Sequence, residues 1–176
     1  ALQRHEDVSL AYTHIQWIDE EGNPTRRTGG GEFVHRHRSG LVRFIKTVAG
    51  PWGECTAVNA VFRRSALKNV PFRAIRGCDQ VFLAYAQFHG RFFRNPEALY
   101  LRRVFFRRQS SSMERITGKR IAGSRFPVVR AHLESYLSLE VSLWKKVLLL
   151  PVLVMALDRG YSLFFWRPIN GIRRRL

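Results

Sequence analysis

Acidic residues are scarce in this chain. Thirteen Asp and Glu stand against 30 Lys and Arg in 176 residues, a formal net charge of +17, and the pI is about 11.3. Such an excess disfavours basic partners and points to anionic ones: phosphates, nucleic acid or anionic lipid. Cysteine is scarcer still, represented by Cys55 and Cys78. Without C-x-x-C or H-x-x-x-H spacing, the pair makes neither a disulfide framework nor a zinc site, and it fits a reducing compartment. No apolar run reaches the ~20 residues that a membrane-crossing helix needs. Internal repeats and low-complexity tracts are lacking too. What is present is a 45% apolar fraction, enough for a packed core and too much for wholesale disorder. The length fits one domain, or one domain with a short appendage. The chain opens on Ala1 in mid-pattern, so we expect a cut N terminus and a fragment of a longer protein.

Hydrophobic spacing outlines the elements. Val8, Leu10 and Tyr12, then Ile15 and Trp17, recur every second residue with a slip at Thr13-His14, which predicts a bulged strand over 8–18. The polar run Asp19–Pro24 ends it. Arg26–Gly31 is expected to be a solvated loop, since its glycines lack the Lys-Ser/Thr ending of a phosphate-binding loop. Leu41, Phe44, Ile45 and Val48 have helical spacing, and Gly50–Gly53 breaks that segment. Ala57–Phe62 is predicted as a short strand, and Ser65–Leu67 as one helical turn before Pro71.

Asp79 and Gly90 punctuate a predicted helix, with Asp79 as N-cap and Val81, Phe82, Tyr85 and Phe88 on one face. Arg91–Leu101 is extended, kinked at Pro96. Val128–Trp144 carries a helical period, and the uncharged run Val147–Leu157 follows, interrupted by Asp158-Arg159-Gly160. Strand and helix alternate, so the fold class expected is α/β. We divide the chain into an α/β part over 1–125 and a helical extension over 126–176.

Asp79 and Glu97 are the two carboxylates between Asn59 and Met113, in a window with eleven Lys and Arg. An Asp in such a field, at a helix N terminus, is ionised and can act as a base or pair with Arg. Read from composition alone, it can equally be a simple cap. Arg102-Arg103 and Arg107-Arg108, followed by Ser110–Ser112, suit a diphosphate or a phosphorylated leaving group, or form a solvated basic turn. His35 and His37 would share a face on a strand, but no acidic third ligand lies close in sequence, so no metal site is assigned.

Three segments, VSLAYTHIQWIDEEGNPT, NAVFRRSALKNVPF and CDQVFLAYAQFHGRFFRNPEALYLRR, together resemble the second half of an inverting family 2 glycosyltransferase. The resemblance covers roughly residues 8 to 112. It implies a partial nucleotide-diphospho-sugar transferase (GT-A-like) domain with a helical C-terminal extension. It further implies that Asp79 is the general base for the acceptor hydroxyl, that Asn59, Arg63 and Arg64 line the acceptor side, and that Arg102 and Arg103 lie near the donor diphosphate. The partners implied are a nucleotide-diphospho-sugar and a glycan or lipid-linked acceptor. Three departures stand out. Cys78 replaces the usual Glu before the base, and Val104 stands where His often follows the arginines. The Asp-x-Asp motif that holds Mg or Mn is absent, so the metal is expected in a full-length enzyme and not on this chain, which alone should be inactive.

The extension is expected either to lie on an anionic membrane surface, with Lys145, Lys146, Arg167 and Arg173–Arg175 flanking its apolar runs, or to pack on the domain as a buried helix. The expected location is cytoplasmic, at the cytoplasmic face of the membrane. The competing reading is a basic peripheral membrane or nucleic-acid-binding protein without catalysis. The scattered basic residues and the lack of a nucleic-acid-binding signature argue against a specific nucleic-acid partner.

Overall fold

The structure, a computed structural model, describes residues 2–26, 35–50, 56–68, 70, 75, 77–104 and 126–161. Residues 27–31 of the loop expected at Arg26–Gly31, residues 51–53 of the break expected at Gly50–Gly53, Cys55, the Arg107-Arg108 and Ser110–Ser112 constellation and the basic tail beyond 161 lie outside these residues. In chain order the elements are strand β1 (Val8–Ile18), helix α1 (Gly40–Ala49), a 3-10 turn (Thr56–Asn59), strand β2 (Val61–Phe62), a second 3-10 turn (Arg64–Leu67), helix α2 (Cys78–His89), strand β3 (Arg91–Arg103), and helices α3 (Phe126–Ser138) and α4 (Leu143–Tyr161). The protein is mixed α/β, with one small mixed sheet and helices packed on it.

The sheet order is β2-β1-β3. β1 pairs antiparallel with β2 through Leu10–Phe62 and Ala11–Val61, and parallel with β3 from Val8–Arg91 to Ile18–Arg103. The slip read at Thr13-His14 is a register shift. Thr13 faces Asn95 and Ile15 faces Tyr100, so one residue of β1 opposes four of β3. The extra residues begin at Pro96, which has no N–H to give to a ladder. The predicted strand over 57–62 is corrected: residues 56–59 wind into a 3-10 turn, and only Val61 and Phe62 pair. The carboxylate of Asp19 accepts from the Asn23 backbone N–H at 2.7 Å, closing the polar turn after β1.

α2 is covered on two sides. Leu83 and Ala86 pack with Leu10, Tyr12, Ala57 and Phe92 of the sheet layer. Val81, Ala84 and Tyr85 pack with Leu41, Phe44 and Val48 of α1 and with residues of α3 and α4. The single apolar face predicted from Val81, Phe82, Tyr85 and Phe88 is therefore split, because a helix between two layers needs apolar residues around most of its girth. Asp79 is not the N-cap. That position is Gly77, at φ 84°, and Asp79 sits in the first turn. A Cβ at Gly77 would also lie 3.2 Å from Val128 Cγ2, so glycine meets both a left-handed backbone and a close neighbour there.

The helix predicted over 128–144 is two helices. α3 stops at Ser138 and α4 starts at Leu143. The turn buries Leu139, whereas Leu137 and Trp144 are exposed. Tyr136 Oη donates to the Lys146 carbonyl at 2.8 Å and fixes the corner. α4 continues through Asp158-Arg159-Gly160 without a break, with Asp158 buried. Val128, Ala131, Tyr136, Leu139, Leu153, Ala156, Leu157 and Tyr161 share one core with α1 and α2. One side of α4 is core, as the buried-helix reading of Val147–Leu157 expects, and the other side is exposed. Among the described residues, no helix is long and apolar enough to cross a membrane.

Candidate functional site

α2 ends at His89, and β3 begins two residues later. Ser9 Oγ donates to the Ala86 carbonyl at 3.0 Å, near the start of β1. Further back along the helix, Phe82 meets Phe62 edge-on at 5.0 Å. Phe62 is the register partner of Leu10, so both contacts seat α2 on the first half of β1. The site we consider comprises the first turn of α2, with Asp79, and the second half of β3.

Asp79 is half-buried, and its Oδ1 accepts from the Gln80 backbone N–H at 3.0 Å. The neighbouring Cys78 thiol is pushed up in pKa, first by burial and then by the charge of Asp79. This thiol is consequently a poor nucleophile at neutral pH. The turn is anchored from the far end of the chain. Tyr161 Oη donates to Gln80 Oε1 at 2.7 Å and lies 2.7 Å from His132 Nε2. One hydroxyl carries one proton, so the imidazole N–H donates to the Tyr161 oxygen. Burial holds His132 at a pKa of about 3, which keeps it neutral in that role.

The C-terminal half of β3 gathers most of the other predicted residues. Asn59 Nδ2 donates to Tyr100 Oη at 3.2 Å on the exposed surface. Arg102 stacks over Trp17, its Cζ 4.8 Å from the ring centroid, a cation–π contact with its register partner on β1. Arg103 is exposed and donates from Nη1 to the Glu20 carbonyl at 2.8 Å. The structure thus places Asn59, Arg102 and Arg103 together along the second half of β3, and Asp79 apart from them on α2.

Arg63 is elsewhere. Its Nε donates to the Val8 carbonyl at 3.0 Å, and its Nη2 to the Leu2 and His5 carbonyls. It ties the N-terminal segment to the start of β1 and serves the fold. Arg64 is exposed at the start of the second 3-10 turn. Tyr100, Trp17, Gln80 and Tyr161 were missed in the sequence, where nothing in local spacing marks their contacts.

Mg and Mn take sets of oxygen ligands. Among the described residues, no three His, Cys, Asp or Glu side chains gather as a metal set would require. His35 and His37 lie outside any strand, so the shared face considered for them does not arise. Comparison with protein-family models, with curated proteins and with solved structures finds no match to this chain.

Proposed function

We propose that this chain carries the acceptor side of an inverting, nucleotide-diphospho-sugar-dependent glycosyltransferase. One observation supports the reading above the others: Asn59, bridged to Tyr100, lies beside Arg102 and Arg103 on the second half of β3, while Asp79 sits half-buried in the first turn of α2. In the reaction, the acceptor oxygen attacks the anomeric carbon while its proton passes to the Asp79 carboxylate. The bond to the diphosphate breaks on the opposite face of the sugar, its electron pair leaves with the nucleoside diphosphate, and the configuration inverts. Arg102 and Arg103 offset the charge that develops on the leaving group. Asn59, bridged to Tyr100, offers polar atoms to the acceptor. A divalent metal, Mg or Mn, belongs to the donor side of the full enzyme.

A second observation favours work at a membrane. Leu143, Trp144, Val147, Leu148 and Met155 are all at least 64% exposed along α4, Lys145 and Lys146 adjoin them, and no carboxylate intervenes from Leu143 to Leu157. An apolar strip flanked by cations suits the surface of an anionic leaflet, and with it a lipid-linked acceptor. On its own, this strip also supports the reading of a peripheral membrane protein without catalysis.

The deciding experiment measures transfer by the native full-length polypeptide from a panel of nucleotide-diphospho-sugars, with wild type beside Asp79→Asn. We expect transfer to fall by at least ~100-fold, the usual scale of general-base loss, with an unchanged thermal midpoint because Gly77 holds the N-cap position. Near-normal transfer in Asp79→Asn removes the base assignment. A wild type inactive with every donor, yet bound to anionic vesicles, establishes the non-catalytic reading.

A further inference from the structure

The other end of α2 has a different character. Two cavities, of about 530 and 450 Å³, open there beside the N-terminal halves of β1 and β3. Arg36 and Arg91 line both; Arg94, His5 and Phe93 line the first, and Arg38, Arg43 and His89 the second. Asp7 is the one carboxylate among their described lining residues, against five arginines. That carboxylate is engaged by Arg91.

Arg43 is 6% exposed, and its guanidinium meets carbonyls. Nε donates to Gln87 O at 2.7 Å, Nη2 to Phe88 O at 3.0 Å, and Nη1 to His37 O and Arg38 O at 2.7 and 2.8 Å. Two carbonyls at the C-terminal end of α2 and two from the segment before α1 accept from it, but they do not cancel a full charge. Its pKa is lowered first by burial and then by the charge of Arg91, while Asp7 opposes the shift. Cations gathered in a recess with this little counter-charge raise the local potential, and an anion entering the recess lowers it. Guanidinium forks match phosphate oxygens in pairs. Arg91 gives its Nε and Nη2 to Asp7, so exposed Arg36, which lines both cavities, and Arg38 beside the second are the guanidiniums that linked phosphoryl groups can meet. His5 and Phe93, stacked at 6.5 Å and 17°, form an aromatic wall beside the first cavity for the organic part of such a ligand.

We infer that this recess is an anion site for an oligophosphate group, distinct from the Arg102–Arg103 end of the sheet. Along β3, eleven residues separate Arg91 from Arg102, roughly 30 Å at strand rise with some loss at the bulge. The inference does not depend on glycosyl transfer. The phosphate chemistry can come from a soluble ligand or from a phosphorylated lipid headgroup.

The test is calorimetric titration of the native polypeptide with inorganic pyrophosphate, paired with sedimentation on vesicles containing phosphatidic acid. Arg36 and Arg38 are exposed, and of the two only Arg38 serves Arg43, through its backbone carbonyl, so Arg36→Ala/Arg38→Ala should keep its thermal midpoint. Saturable one-to-one pyrophosphate binding, at least 10-fold weaker in that variant and unchanged in Arg102→Ala/Arg103→Ala, is the expected result for a soluble ligand. Vesicle binding lost in the same variant, with no pyrophosphate binding, assigns the recess to a lipid headgroup. Binding that is unsaturable, equal in all variants, or lost only with Arg102 and Arg103 overturns the inference. Should Arg36→Ala/Arg38→Ala melt early, Arg36→Gln keeps the side-chain stem and must still weaken binding.

Discussion

Tyr161 and Gln80 lie 81 residues apart in sequence, and the hydroxyl of the first donates to the side-chain oxygen of the second at 2.7 Å. The bond ties the last turn of α4 to the first turn of α2, next to Asp79. The C-terminal helices therefore brace the turn that bears the proposed base.

Tyr161→Phe removes the hydroxyl from between Gln80 and buried His132. Losing such a partner costs about 1–3 kcal/mol. Urea denaturation should show that loss, and Tyr161→Phe should lower transfer less than Asp79→Asn does. A wild-type denaturation midpoint would show that the bond does not brace the turn.

Acid should weaken the fold through His132. Its folded-state pKa of about 3 lies far below the ordinary value of 6.5. Between those values the unfolded chain binds a proton that the folded chain refuses. Stability is thus retained above pH 6.5 and lost as pH falls below it, by about 1.4 kcal/mol at pH 5.5. His35 and His89, both shifted down chiefly by burial, act in the same direction. Urea titrations at pH 7.5 and 5.5 measure the difference. An identical slope in His132→Gln would assign the acid sensitivity to other groups.

Arg63→Lys tests a tether against an acceptor contact. A lysine cannot reproduce the fork that reaches the Val8, Leu2 and His5 carbonyls. We expect a loss of about 1–3 kcal/mol and faster proteolytic cleavage before Val8, with the KM for acceptor unchanged. A raised KM at wild-type stability would return Arg63 to the acceptor pocket.

Leu148→Asp/Met155→Asp places charge on the open side of α4, where both residues are at least 65% exposed. Flotation with phosphatidylserine vesicles should fall by at least ~10-fold, and Lys145→Ala/Lys146→Ala should weaken it by about 1 kcal/mol per lysine. Unaltered flotation of the Asp variant would move the membrane contact to another face.

Local pattern carried a good part of the fold. Alternation marked β1 and even its slip, because a bulge leaves a visible break in a period of two. Leu41, Phe44 and Val48 marked α1, because that helix buries a single stripe. The pattern misled where two surfaces compete for one helix. α2 is buried on two sides, so its periodicity blurred, and α4 is apolar all round, so nothing in its spacing marked which side meets the core.

The candidate site divides in the same way. That Asp79 is one of two carboxylates in a basic stretch, at the start of a helix, is written in the sequence. That Asn59 meets Tyr100, that Arg102 lies over Trp17 and that Arg63 is turned to the backbone depends on the register of β1 with its neighbours, which joins residues up to 85 positions apart. The net charge of +17 likewise foretold anionic partners without locating them. Composition sums charge over the whole chain, but a site arises where the tertiary structure brings several arginines together, as α1, α2 and β3 do around Arg36, Arg43 and Arg91, with Asp7 paired to the last.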